Sequence, residues 1–113
     1  MATPSNRTII YMPAYKLREL FNQSQYPELI QQNKLVKEIV RSRLLQESTL
    51  LGKALPPGTK SEIIIYHDPA NKELYAKIHQ YVLPDGALGA SGKPDPKAIL
   101  LEGKMYCFKP VKD

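Results

Sequence analysis

The hydrophobic pattern changes its period at Leu55-Pro56-Pro57-Gly58, and this change constrains the fold more than any other feature of the sequence. Two consecutive prolines followed by glycine form a rigid break. Before it, apolar residues recur at helical spacing; after it they alternate with polar ones, as in strands.

In the first half, Leu17, Leu20 and Phe21 lie at i, i+3, i+4, which predicts a helix over 14–22 with Pro13 in its first turn. Thr8-Ile9-Ile10-Tyr11 is either a short strand or an apolar lead-in to that helix. Asn22, Ser24 and Pro27 end it, and a further short helical turn fits 27–32. The strongest helical pattern spans 34–46, with Asn33 as N-cap. Leu35, Val36, Ile39, Val40 and Leu44 form one broad face there, and Lys34, Lys37, Glu38 and Arg41 form the opposite face. Arg43 breaks the pattern by pointing near the centre of the apolar face. Either the helix ends before it, or its stem packs while the guanidinium reaches solvent, or it meets a specific partner.

In the second half, 62–67 and 74–83 alternate as two strands, and Asp68-Pro69-Ala70-Asn71 supplies turn chemistry between them. A second hairpin joins 98–101 to 104–108 around Glu102-Gly103. Helices followed by strands imply an α+β fold, with N-terminal helices packed on one face of an approximately four-stranded antiparallel sheet. The length suits one domain over 1–113, with a helical half at about 13–50 and a sheet half at about 61–109.

If the first hairpin closes tightly, Ile65 lies opposite Leu74 and Ile63 opposite Ala76. Ile63, Ile65, Leu74, Ala76 and Ile78 then share the face that helices cover. The other face collects Glu62, Ile64, Tyr66, Glu73, Tyr75, Lys77, His79 and Tyr81. Tyrosines with a lysine and a histidine on an open sheet suit ring stacking on bases and contact with phosphates. Tyrosine is also an ordinary strand residue, and cross-strand aromatic pairs stabilise an exposed face unaided.

The segment 84–97 is rich in Gly and Pro. Its backbone N–H groups, with Ser91, Lys93 and Lys97, form a candidate anion-binding loop; a plain Pro-Asp-Gly turn accounts for its first part. It is no Walker A motif, because position 87 is Ala where Gly is needed and Pro94 follows Lys93. No dinucleotide fingerprint is present either, since no apolar-striped helix follows.

The net charge is +5. Residues 1–57 hold eight Lys+Arg against four Asp+Glu, and 58–113 hold eight against seven, so the excess lies in the first half. A basic chain suits an acidic partner, nucleic acid above all, and equally suits solubility. Cys107 is the only cysteine, which rules out an internal disulfide and a cysteine-based zinc cage. Met1 to Asn6 have no signal-peptide pattern, and no apolar run approaches the length of a membrane span. Cytoplasm is the expected compartment, with no cofactor, no metal and no membrane partner.

Three functions follow as expectations. The first is a small RNA-associated binding module using Tyr66, Tyr75, Lys77, His79 and Tyr81 on the sheet, Ser91, Lys93 and Lys97 in the Gly-rich loop, and Lys34, Lys37 and Arg41 on the basic helix. The second is a small metal-independent, toxin-like ribonuclease with His79 as base or acid. The third is a protein-interaction or assembly module without chemistry, meeting a protein partner through the sheet face or an edge.

Overall fold

The computed structural model describes residues 8–45, 48–50, 53–89 and 94–109. The elements in order are β1 (Thr8–Met12), α1 (Ala14–Gln23), α2 (Tyr26–Gln31), β2 (Val36–Leu45), β3 (Ser48–Leu50), β4 (Lys53–Leu55), β5 (Thr59–Asp68), β6 (Asn71–Val82), β7 (Asp95–Leu101) and β8 (Lys104–Phe108). Six strands form one mixed sheet in the order β1-β8-β7-β6-β5-β2, and β3 pairs with β4 as a separate small hairpin. All neighbours in the large sheet are antiparallel except β1 and β8, which run parallel.

This corrects the expected four-stranded antiparallel sheet under several helices. Thr8–Met12 is a strand, and it joins the far edge. The segment read as the strongest helix is the edge strand β2. Its apolar residues fall at helical spacing, but they include the β-branched Val36, Ile39 and Val40, which pack well on a pleated surface. Arg43, the residue that broke the helical pattern, lies opposite Ser61 on β5.

Asn33 was expected to start a helix; it ends one. Its φ of 57° is the left-handed conformation that terminates α2. The Asn33 N–H reaches the Ile30 carbonyl at 3.1 Å and the Lys34 N–H reaches Leu29 at 2.9 Å, the paired bonds of a Schellman motif. The α1 and α2 helices and both hairpins lie where the sequence places them. At the second hairpin Glu102 and Gly103 both have positive φ, as a type I′ turn requires.

Both helices lie on one face of the sheet. Leu17, Phe21 and Tyr26 pack with Ile64 and Tyr66 of β5, Ala76 and Ile78 of β6 and Ile99 of β7, and all are buried. Burying each such aliphatic side chain contributes about 1.5–3 kcal/mol. Tyr26 also fastens the sheet from beneath. The β6–β7 ladder runs through Ala76–Ile99. At the next step the Tyr26 hydroxyl stands in for a direct backbone bond, accepting the Tyr75 N–H at 3.0 Å and donating to the Leu100 carbonyl at 2.5 Å. Burial raises the pKa of this phenol, so it keeps the proton that it donates.

Candidate ligand face on the open side of the sheet

Cross-strand partners share a face, so register decides which side chains stand opposite the helices. In the first hairpin Asp68 pairs with Asn71, but the next pair is His67 with Tyr75, leaving Lys72, Glu73 and Leu74 as extra residues on β6. Two side chains support this widened corner: Asp68 Oδ1 accepts the Ala70 N–H at 2.8 Å, and Asn71 Oδ1 accepts the Glu73 N–H at 3.0 Å. Ile65 therefore lies opposite Lys77 instead of Leu74, a displacement of three residues. An odd displacement exchanges the faces of one strand relative to the other.

The consequence differs between the two strands. On β6, Leu74, Ala76 and Ile78 face the helices, while Tyr75, Lys77, His79 and Tyr81 take the open side, as expected. On β5 the faces are exchanged. Ile64 and Tyr66 pack beneath the helices, with Tyr66 only 8% exposed. Tyr66 is thus removed from the candidate face, and burial raises its phenol pKa, with Glu62 adding to the effect. In its place Ser61, Ile63, Ile65 and His67 come to the open side, opposite Tyr81, His79, Lys77 and Tyr75 respectively. The potential of both Asp68 and Asn71 to make local side-chain turns was the sequence signal for this wider corner.

The centre of the open face is the His79 group. Ser61 Oγ lies 2.8 Å from His79 Nε2, and the Tyr81 ring meets the imidazole edge-on with centroids 4.5 Å apart. Burial, reinforced by the charge of Lys97, lowers the His79 pKa below its ordinary 6.5, against the opposing pull of Asp95. The imidazole is therefore neutral at pH 7 and able to accept a proton. Tyr75, next along the same face, has its phenol pKa raised by burial and then by Cys107. Burial likewise raises the Cys107 thiol, against a lowering from Lys77, so this cysteine is a poor nucleophile.

The expected cations are dispersed. Arg41 and Arg43 lie opposite Ile63 and Ser61, on the open side. Lys37 lies opposite Tyr66 and so on the helix side, because β2 has an irregularity between Ile39 and Arg41 that reverses its alternation. Lys34 is exposed in the turn after α2. Lys97 belongs to β7, where it pairs with Asp95 at 3.4 Å and covers the Phe108 ring at 4.5 Å. Asp95 also holds Arg18 of α1 at 3.0 Å. Lys97 is thus engaged within the protein, with its side chain 32% exposed. Ser91 and Lys93 lie outside the described residues. The described start of the loop is a turn closed by Gly86 N–H to the Leu83 carbonyl at 2.8 Å, with Leu88 bridged to Val82. His67 pairs with Glu38 at 3.1 Å.

Among the described residues no group of three or more His, Cys, Asp or Glu could hold a metal ion, and no helix is long and apolar enough to cross a membrane. Comparison of the chain with known protein families, with curated proteins and with solved structures finds no match.

Proposed function

We propose that the protein is a small RNA-associated binding module that takes single-stranded nucleic acid on the open side of its sheet. The observation that carries this reading is the alternation Tyr75, Lys77, His79, Tyr81 along β6 on the side away from the helices. Tyr75, His79 and Tyr81 put three rings on this side, with Lys77 between the first two, and bases can stack on such rings, each worth about 1–3 kcal/mol. Half-buried Ile63 and Ile65 line the same surface, and Lys77, Arg41 and Arg43 supply positive charge for phosphates. A chain with one cysteine suits the reducing cytoplasm, where such ligands are abundant.

The test is fluorescence anisotropy with labelled single-stranded and duplex RNA at two salt concentrations. Binding is expected to favour the single strand and to fall steeply as salt rises. Tyr75→Ala combined with Tyr81→Ala is expected to weaken it by about tenfold or more, whereas Lys34→Ala leaves it nearly unchanged. Absence of binding at low salt, or indifference to the tyrosine pair, rejects the reading.

One observation favours a second reading, metal-independent RNA cleavage: a neutral imidazole is held 2.8 Å from a serine hydroxyl on the same face. In it His79 accepts the proton of a ribose 2′-hydroxyl as that oxygen bonds to the adjacent phosphorus, the 5′-oxygen leaves and takes a proton from water, and Lys77 offsets charge on the phosphate. Cleavage of RNA in EDTA that His79→Ala abolishes, with the fold intact, would select this reading over simple binding.

A further inference from the structure

We infer that β2 is a self-pairing edge, through which two copies of this chain join antiparallel about a two-fold axis between Ile39 and Val40. The inference is independent of what the open face binds.

β2 is ten residues long, ends the sheet, and is exposed along nearly its whole length. Val36, Ile39, Val40 and Leu44 are 42%, 52%, 49% and 61% exposed, so an apolar strand stands at an open edge with its outer backbone groups unmatched by any described strand. Such an edge is a template for a further strand. The choice of occupant follows from charge and alternation on β2 itself.

The irregularity at Ile39/Arg41 puts Val36 and Glu38 on the open side with Arg41 and Arg43, and Lys37 and Ile39 on the helix side with Ser42. Partners across an antiparallel seam must share a face. When Ile39 of one copy meets Val40 of the other, every flanking pair from 36 to 43 obeys this rule. Glu38 meets Arg41, Lys37 meets Ser42, Val36 meets Arg43, and the two-fold repeats each contact. Two opposite-charge pairs then flank an apolar centre. Sliding by one residue in either direction sets Lys37 opposite Arg41 or Arg43, which stand on the other face, so the rule fails. A two-residue slide one way sets Glu38 against Ile39 from opposite faces; the other way it pairs Glu38 with Arg43 but brings the Arg41 side chains of the two copies together at the axis. A parallel in-register pair would align Lys37 with Lys37 and Arg41 with Arg41. The bulge and the charges together favour the register with an apolar centre, which is how an edge is made specific for its own kind.

Sedimentation velocity of the full chain across the micromolar range, at low salt, tests this. A dimer is expected. Glu38→Arg and Arg41→Glu each place like charges at the seam twice, and each is expected to weaken association by about tenfold or more. Both positions are exposed, so circular dichroism should report an unchanged fold. The double exchange Glu38→Arg with Arg41→Glu restores opposite charges and is expected to recover the dimer. A wild-type chain that stays monomeric, a dimer insensitive to Glu38→Arg, or a double variant that fails to recover each overturns the inference. So does an edge that captures only an unrelated strand.

Discussion

Ile64 and Ile39 sit directly across from one another, on neighbouring strands and on the same face, yet their surroundings differ completely. Ile64 on β5 is fully buried beneath the helices; Ile39 on β2 is 52% exposed. One strand spacing, about 5 Å, separates core from edge. α1 lies mainly over β7 and β8, α2 reaches β6 and β7 through Tyr26, and β2 stays exposed beyond them. Hydrophobicity alone therefore says little about a residue's role here; its position in the strand order decides.

Several measurements would sharpen or break this contrast. The largest effect is expected from Ile64→Ala, which leaves a cavity under α1 and α2 and should destabilise the protein by about 2–5 kcal/mol in urea denaturation. At a protein concentration low enough for the monomer, Ile39→Ala should cost under about 0.5 kcal/mol, as for an ordinary surface change. Equal losses at the two positions would mean that β2 is covered in solution, and a loss at Ile39 that grows with protein concentration would point to the self-paired edge.

Tyr26→Phe comes next. It keeps the ring in the core but leaves the Tyr75 N–H and the Leu100 carbonyl without their shared hydroxyl, at a cost of about 1–3 kcal/mol. Hydrogen exchange at the Tyr75 amide should quicken locally, which separates this role from simple packing.

The smallest effect is the pH dependence carried by His79. Its folded-state pKa is lowered by burial and then by Lys97, so the unfolded chain binds this proton more readily. The associated stability is complete above the ordinary value of 6.5 and is lost as pH falls through 6.5 toward the lower folded-state value. His79→Gln should flatten the stability profile on that acidic side. An unchanged profile would show that the imidazole is as free in the folded chain as in the unfolded one.

Much of the central sheet was legible in the residues. β6 alternates cleanly because it has a strand on each edge, helices below and an open face above, so its pattern records two different environments. The second hairpin was legible for a local reason: Glu102-Gly103 permits the positive φ angles that its turn demands. β2 carries no alternating signature because neither of its faces is buried. With no inward side to impose a period of two, its apolar residues fell by chance at helical spacing, and only Arg43 and the run of β-branched residues spoke against a helix. Asn33 was ambiguous for another reason, since asparagine serves both ends of helices.

The candidate face divides in the same way. Tyr75, Lys77, His79 and Tyr81 share a side in any register, because residues two apart on one strand always do. Whether Tyr66 or Ile65 joins them depends on the width of a corner between two strands. The sequence by itself thus determined the two helices, the hairpins, the break at Pro56-Pro57 and the alternation within β6, all consequences of local backbone chemistry and nearby burial. The tertiary structure alone decided that Thr8–Met12 runs parallel to the last strand, that Val36–Leu45 is an edge, and that Tyr66 lies in the core. Those outcomes turn on pairing between distant segments, whose free energy comes from shared burial and ladder hydrogen bonds that no short window of residues contains.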